Sequence, residues 1–238
     1  MIGLGTLVNA AAVLIGGTTG VVAGRRFPQR LRRTTTYVLG LVTFFLAVRM
    51  MIRIDAGYAL HVVGALLAGA ILGEILRIEQ RLERLGAWLR DRVAPGAAGG
   101  GGDFVEGFVV AGLIFCVGPM TLLGTFEDGQ GKAPLLLYVK SAMDGVMAIA
   151  LAARYGRGVL ASAVFVLVFQ GTLTAAAALG APAIPPLYVT AIEATGGVMV
   201  LGIGLLLLDV RRIRVANLLP ALPLVCLLLW LWPNPLAV

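Results

Sequence analysis

Residues 3–24 read GLGTLVNAAAVLIGGTTGVVAG, an apolar run without a charged side chain that is followed at once by Arg25 and Arg26. A helix needs about 20 predominantly apolar residues to cross the roughly 30 Å hydrocarbon layer of a bilayer. This stretch is long enough to do so, and the two arginines place its end at the water interface. The run therefore predicts a membrane-spanning helix.

Seven further runs of the same kind follow along the chain. With the first run, they cover residues 3–24, 36–53, 57–76, 104–125, 134–153, 158–180, 187–208 and 215–232. Of the 238 residues, 59% are hydrophobic and 13% are charged. In soluble proteins, about a quarter of all residues are charged. The sequence predicts an all-α fold, a polytopic transmembrane helix bundle of seven or eight spans.

The basic residues are distributed unevenly between the two sides of this bundle. Alternate gaps between the runs hold 15 of the 19, and the other four are Arg49, Arg53, Lys132 and Lys140. Lysine and arginine collect on the cytoplasmic side of membrane proteins, so the N-terminus is predicted to lie outside. The formal net charge of +7 therefore indicates topology and contact with anionic lipid headgroups, and not a nucleic-acid partner.

Residues 94–103 form a flexible linker, because they are mainly alanine and glycine and offer no side chains for a core. The linker separates an N-terminal unit of three spans, residues 1–93, from a C-terminal unit of about five spans, residues 104–238. The end of the first unit, residues 77–92, is amphipathic and continuous with the third span. Its apolar stripe is expected to lie on the cytoplasmic surface of the membrane or against another subunit.

The two units share a weak internal similarity. With an offset of 102 residues, Gly5 falls on Gly107 and Gly16 on Gly118. Small residues are so common in this chain that chance accounts for such matches as well as duplication does. If the duplication is real, the first six spans form an inverted 3+3 repeat, as in many secondary transporters, with the last two spans appended.

Two positions in these spans predict interrupted helices. Pro119, after Gly118, lacks an N–H and clashes with the carbonyl four residues earlier, so the fourth span should kink or break there. Gly16 and Gly17 occupy the matching place in the first span. Interrupted helices at matching places point to a binding site inside the membrane. The alternative for the two glycines is a close helix–helix contact.

Lys140 and Asp144 place opposite charges on one face of the fifth span. Charges inside a membrane are costly and must pair or face a polar interior. The pair is either a structural bridge between helices, or Asp144 carries an ion or proton and Lys140 is its competing countercharge. The predicted site also includes acidic and neutral ligands and the helix breaks, namely Glu74, Glu193, Asn9, Thr121, Gln170, Gly16, Gly17, Gly118 and Pro119.

Enzymatic activity is not expected from this sequence. It lacks a nucleophile–base set and a metal-ligand spacing, and it holds one histidine and two cysteines. No cofactor is predicted.

Several motifs together resemble the YqgA/YdfK-like family of uncharacterised bacterial multi-spanning membrane proteins, a family catalogued as a domain of unknown function. They lie along the whole chain, at residues 5–9, 16–17, 69–74, 118–121, 128–129, 140–145, 170–171, 194–197 and 213–220. The resemblance implies a protein of the bacterial inner membrane, often labelled a transporter, and brings no defined activity.

The sequence thus predicts a transporter of a small solute or ion, with its site between the interrupted first and fourth spans and walled by the fifth to seventh. A passive ion channel and a non-transporting structural or partner-binding membrane protein remain as alternatives. The expected partners are the lipid bilayer, the solute or ion, and further copies of the chain, with a homodimer favoured.

Overall fold

The computed structural model describes residues 2–26, 28–93, 101–180 and 184–233, and within these ranges the chain forms helices and no strand. Residues 94–100 of the expected linker lie outside the described residues, and a helix already begins at Gly101. The α-helices of the described ranges are α1 (Leu4–Arg26), α2 (Gln29–Met51), α3 (Ala59–Leu76), α4 (Ile78–Val93), α5 (Gly101–Cys116), α6 (Pro119–Gly129), α7 (Leu135–Tyr155), α8 (Gly158–Ala178), α9 (Pro186–Leu207) and α10 (Ala221–Leu231). Short 3₁₀ helices cover Ala56–Tyr58 and Val215–Leu218.

The prediction of an all-α polytopic bundle is confirmed. Among the described residues, 6 helices are long and apolar enough to cross a membrane, and the bent pair α5–α6 raises the number to 7. The eighth predicted span is shorter than the others and corresponds to the apolar segment Val215–Leu231. This segment begins as a 3₁₀ helix and continues as α10.

The surface of the protein is apolar where a soluble protein would be polar. Large side chains such as Ile15, Leu67 and Val168 are more than 60% exposed. A soluble monomer rarely exposes apolar patches of this extent, whereas side chains of this kind face the lipid tails in a membrane. The chain is therefore a membrane protein with several spanning helices.

The described helices belong to two compact units. Unit 1 comprises Met1–Leu39, Glu83–Cys116 and Met120–Ala183, and unit 2 comprises Gly40–Leu82, Val117–Pro119 and Ile184–Val238. Each unit combines residues from before and after the predicted linker.

In unit 1, α1 and α7 run parallel at very short distance. Gly16 faces Gly145, Gly20 faces Ile149 and Gly24 faces Ala153, so the residue numbers rise together along both helices. A Cβ atom at Gly16 or Gly20 would collide with a main-chain carbonyl oxygen of α7. Small residues at every fourth position allow this approach, which lets membrane helices associate without large side chains.

The eighth helix, α8, completes the core of unit 1. It runs antiparallel to α1, because Thr6 pairs with Thr174 near one end and Gly17 meets Leu160 near the other. It runs parallel to α5, because Gly158 packs on Phe104 and Phe165 packs on Gly112.

Helix α4 is amphipathic, as predicted, but it is not continuous with α3. Arg77 adopts a left-handed conformation (φ 52°) and separates the two helices. Within unit 1, Gly86 packs on Phe108, and Trp88 remains half exposed beneath the guanidinium of Arg92. An exposed tryptophan beside arginines is typical of a helix at a membrane surface.

In unit 2, two antiparallel helix pairs are described. Gly69 and Gly73 of α3 pack on Ala221 and Asn217, so α3 runs against the Val215–Leu231 segment. In the same way, Gly40 of α2 meets Leu208, and Gly204 of α9 meets Phe44.

The helix directions constrain how the chain crosses the membrane. Spans that are separated by an odd number of crossings run parallel, so an odd number of crossings lies between α1 and α7, and the helices between them offer three. These three are α2, α3 and the bent pair α5–α6. A pair α5–α6 that re-entered on the same side would make α1 and α7 antiparallel. The helix directions therefore indicate that α5–α6 crosses the membrane as one bent span.

Candidate functional site

The fourth apolar run breaks at the place that Gly118-Pro119 predicts. Helix α5 ends at Cys116, α6 begins at Pro119, and the two are bent by 66°. Proline has no N–H, so residue 119 cannot donate to the carbonyl four residues earlier, which belongs to Phe115. Because Phe115 is fully buried, its carbonyl needs another donor from the protein.

Two side chains supply that donor. The ammonium Nζ of Lys140 lies 2.7 Å from the Phe115 carbonyl oxygen, and the hydroxyl Oγ1 of Thr121 donates to the same oxygen at 3.3 Å. Both side chains are buried. The last carbonyls of a helix carry a partial negative charge that favours a cation. The break therefore creates a point that attracts a cation, and the ammonium of Lys140 occupies it.

The same ammonium forms an ion pair with Asp144, one helical turn along α7. The side chain of Lys140 is 8% exposed and that of Asp144 is 11% exposed. Removing two charges from water costs several kcal/mol per ion, which further hydrogen bonds must offset. The amide Nδ2 of Asn9 supplies one of them, since it donates to Oδ2 of Asp144 at 3.1 Å.

The amide of Asn9 joins α7 to α8. Its Nδ2 also donates to Oε1 of Gln170 at 3.2 Å. These two contacts orient both amides. A carboxylate accepts hydrogen bonds, so Asn9 turns its nitrogen toward Asp144, and Gln170 therefore turns its oxygen toward the same nitrogen. Asn9 Oδ1 and Gln170 Nε2 are buried and have no hydrogen-bond partner within the described chain.

We call the side chains of Asn9, Thr121, Lys140, Asp144 and Gln170, with the Phe115 carbonyl, the polar cluster. Its two unpartnered atoms are an acceptor, Oδ1 of Asn9, and a donor, Nε2 of Gln170. An unpaired buried polar group costs about 1–3 kcal/mol, and such groups in native structures usually have a partner. The polar cluster therefore has capacity for a further polar group or ion.

Layers of different character bound the polar cluster along α1, α7 and α8. Toward the N-terminal end of α1 lies the Thr6–Thr174 hydroxyl pair, with an oxygen–oxygen distance of 3.2 Å. In the opposite direction, the next turns of the three helices present Val13, Ala148 and Val166, all fully buried. The polar cluster is thus continuous with polar groups on one side and closed by apolar side chains on the other.

Asp128 was not recognised as a site residue from the sequence. The structure places it in α6, only 1% exposed. Its carboxylate accepts the main-chain N–H groups of Gly3 at 3.2 Å and Thr6 at 3.4 Å. The first N–H groups of a helix have no partner within that helix, so Asp128 caps α1. Gly3, which directly precedes α1, has no side chain that could cap it, and this signal was available in the sequence.

The prediction of an interrupted first span is wrong. Helix α1 runs from Leu4 to Arg26 without a break, so Gly16 and Gly17 present no open helix ends. Gly16 instead allows the close approach to Gly145, and Gly17 packs on Leu160. Glycine lacks the ring of proline and keeps its N–H, so a helix continues through it where a neighbouring helix packs on it.

Glu74 and Glu193 belong to unit 2, where each has its own partners, so they are not members of the polar cluster. The carboxylate of Glu193 lies 3.5 Å from the guanidinium of Arg53. Glu74 pairs with Arg214 at 2.7 Å and accepts from Nδ2 of Asn217 at 2.6 Å. The side chain of Glu74 is 59% exposed, and its contacts fix the start of the Val215–Leu231 segment.

Of the predicted site residues, the structure brings together Asn9, Thr121, Lys140, Asp144 and Gln170. Gly118 and Pro119 form the break that leaves the Phe115 carbonyl without a helical donor. Among the described residues, no group of three or more His, Cys, Asp or Glu side chains could hold a metal ion.

Comparisons with known proteins agree with the sequence motifs. A family described as "Protein of unknown function (DUF554)" matches residues 4–230. The chain belongs to the DUF554 family. The resemblance drawn from the sequence motifs is thereby confirmed.

Two relatives of this DUF554 chain extend over nearly its whole length. The "Uncharacterized protein YqgA" of Escherichia coli (strain K12) is 30% identical over 224 residues, which are 92% of this chain and 93% of YqgA. The "Uncharacterized membrane protein YdfK" of Bacillus subtilis (strain 168) is 25% identical over 221 residues, 92% of each chain. No solved structure matches the chain.

Proposed function

We propose that this protein carries a small cation across the bacterial inner membrane, with its N-terminus in the periplasm and Asp144 as the residue that binds the passenger. One observation carries the proposal. A buried carboxylate and a main-chain carbonyl freed by a helix break share one buried ammonium, that of Lys140, beside an unpartnered amide oxygen. Carriers coordinate cations with a carboxylate and the open ends of broken membrane helices.

The chemistry of these ligands favours a cation over an anion. Two oxygen ligands hold the ammonium, namely the Asp144 carboxylate and the Phe115 carbonyl. The Thr121 hydroxyl and the Asn9 amide bind these two ligands in turn. Hard cations prefer carboxylate and carbonyl oxygens. An anion would meet the Asp144 carboxylate and the negative end of the α5 dipole.

The closed surroundings of the polar cluster favour a carrier over a channel. A channel needs a continuous wet path, whereas every side chain of the polar cluster is buried. The fully buried side chains of Val13, Ala148 and Val166 close it on one side. A cation would reach the site only after a conformational change, which is the behaviour of a carrier.

Ligand-induced stabilisation of the purified protein tests this proposal. A ligand that binds only the folded state raises the apparent stability. We expect at least one monovalent cation to raise the melting temperature of the wild type, and Asp144→Asn to abolish this shift. Asp91→Asn is the matched control, because the Asp91 side chain is 67% exposed on α4 and should leave the shift unchanged.

A structural protein gives a different result. If the polar cluster only joins helices, Asp144→Asn lowers the melting temperature and no cation changes the stability of either protein. That outcome would contradict the proposed function.

A further inference from the structure

We infer that the passenger enters and leaves the polar cluster at the N-terminal end of α1, through an outer gate that Thr6, Thr174 and Asp128 keep closed. This inference rests on the proposed function and adds the route to its site. The hydroxyls of Thr6 and Thr174 lie 3.2 Å apart, and the Asp128 carboxylate accepts the main-chain N–H of Thr6 at 3.4 Å. All three side chains are buried.

The outer gate is the end of polar stripes that begin at the polar cluster. The stripes follow three helices of unit 1, and their buried members are Thr6 and Asn9 on α1, Thr121, Thr125 and Asp128 on α6, and Gln170 and Thr174 on α8. Within each stripe the residues are three or four positions apart, so they share one face of their helix. The stripes meet at the outer gate, because Asp128 bonds to Thr6 and the next residue, Gly129, packs on Thr174.

The outer gate separates the polar cluster from exposed residues by about one helical turn. Thr6 lies one turn from the exposed Ile2, and Thr174 lies one turn from the exposed Ala178. Hydroxyl and carboxylate oxygens are ligands that hard cations prefer. A cation that passes the outer gate would therefore find oxygen ligands in place of the water that it loses.

The opposite direction offers no comparable route. After the apolar layer at Val13, the main chain of α1 lies directly against α7, since a Cβ at Gly16 or Gly20 would collide with a carbonyl oxygen of α7. The same close contact continues to Gly24, which packs on Ala153 near the far ends of both helices. The polar cluster is thus several turns of tight packing away from that end.

The contacts that close the outer gate all involve the first turn of α1 or the residue before it. The first N–H groups of a helix have no partner within that helix, and Asp128 accepts those of Gly3 and Thr6. Helix ends open locally at low cost in free energy. When Asp128 releases the N–H groups, water can bind them, and Thr6 moves away from Thr174 with the first turn. Asp128 is therefore a positioning residue that sets how readily the outer gate opens.

The experiment measures how fast a membrane-impermeant, cationic methanethiosulfonate reagent modifies introduced cysteines in intact cells and in inverted membrane vesicles. Thr174→Cys probes the outer gate. Val166→Cys, about two turns further along α8 in the apolar layer, probes the closed direction. Gln130→Cys, exposed in the α6–α7 turn, marks the membrane face on which the outer gate lies. The wild type, with Cys116 and Cys226, gives the background.

We expect Thr174→Cys to react from the same side of the membrane as Gln130→Cys, whereas Val166→Cys should not exceed the background. Asp128→Asn should raise the rate at Thr174→Cys about tenfold, because an amide nitrogen cannot accept an N–H and the first turn loses part of its cap. The rate at Val166→Cys should stay unchanged in this variant. Glu127→Gln is the matched control, since it removes one charge from the neighbouring, partly exposed residue and should change neither rate.

Two results would overturn the inference. The first is equal reaction at Thr174→Cys and Val166→Cys, or no reaction at Thr174→Cys from the face that Gln130→Cys marks. The second is an equal increase at both positions in Asp128→Asn, which would indicate a general loss of stability instead of an opened gate. If Thr174→Cys does not fold, Thr6→Cys probes the other half of the hydroxyl pair.

The melting temperature of the wild type in potassium or ammonium chloride, measured in parallel, separates this inference from the proposed function. Reaction at Thr174→Cys without any cation-induced shift would contradict the proposed function and leave the opening at the outer gate standing. A cation-induced shift without reaction at either Thr174→Cys or Thr6→Cys would overturn the outer gate and leave the proposed function standing.

Discussion

The ammonium of Lys140 donates to the carbonyl of Phe115 at 2.7 Å, and this is the carbonyl that Pro119 leaves without a helical donor. The contact joins the break between α5 and α6 to the charged face of α7. It explains why a lysine lies inside a membrane-spanning helix, where a lone charge is costly. The helix break and the ion pair therefore form one site.

Pro119→Ala tests the link between the break and the ammonium. Alanine restores an N–H at position 119 that can donate to Phe115, so Lys140 and the passenger would lose this ligand. We expect unchanged or slightly higher stability and a cation-induced shift in melting temperature reduced at least tenfold. Pro186→Ala is the control, because residues 184 and 185 before it are not helical and a new N–H there should not affect the site. A full cation response in a folded Pro119→Ala protein would contradict the role of the break.

The buried ion pair predicts a strong interaction between two substitutions. Lys140→Ala leaves the Asp144 carboxylate without its cation, and removal of one partner of a buried pair costs about 3–5 kcal/mol. Lys140→Ala combined with Asp144→Ala should be more stable than Lys140→Ala alone. Chemical unfolding in mixed micelles measures both. If the two effects simply add, the side chains do not interact in solution.

The contact between α1 and α7 predicts different effects of two glycine substitutions. A Cβ at Gly16 would collide with the carbonyl oxygen of Gly145, whereas a Cβ at Gly171 in α8 meets no atom within 4 Å among the described residues. Gly16→Ala should cost about 1–3 kcal/mol of stability. Gly171→Ala should be neutral or stabilise the helix by up to about 1 kcal/mol. Equal stability of the two variants would exclude the close approach of α1 and α7.

The helix directions predict where three reporters lie. Fusions after Arg92 should be cytoplasmic, and fusions at Gln130 should be periplasmic, because α5–α6 crosses the membrane once. A fusion after Trp232 should also be periplasmic, on the same side as the start of α1. Activity of alkaline phosphatase, which folds in the periplasm, measures each position. Arg92 and Gln130 on the same side would show that α5–α6 re-enters the membrane.

The helical spans and the charged face of α7 were predictable because they depend on local patterns. Apolar runs of sufficient length indicate spanning helices in any context, and Lys140 and Asp144 are one turn apart on the same helix. The break at Gly118-Pro119 was predictable for the same reason, since proline acts on its own helix. Asn9 and Gln170 were found because polar side chains inside apolar helices need partners.

The remaining features depend on contacts between residues that are distant in the chain. Gly16 and Gly17 were predicted to interrupt α1, but α7 packs on Gly16, and the helix remains continuous. Glu193 was assigned to the site because the single sequence does not reveal its partner Arg53, 140 positions away. Asp128 was overlooked because the sequence around it resembles a turn. It lies instead at the end of α6, and its carboxylate caps α1.

Cation flux into proteoliposomes decides whether Asp144 carries a passenger. Vesicles that contain the wild type or Asp91→Asn should dissipate an imposed gradient of ammonium or potassium faster than vesicles without protein. Vesicles with folded Asp144→Asn should lose at least nine-tenths of this flux, because the amide cannot supply the negative charge that binds the cation. Flux through Asp144→Asn at the rate of the wild type, or no flux of either cation through the wild type, would contradict the proposed function.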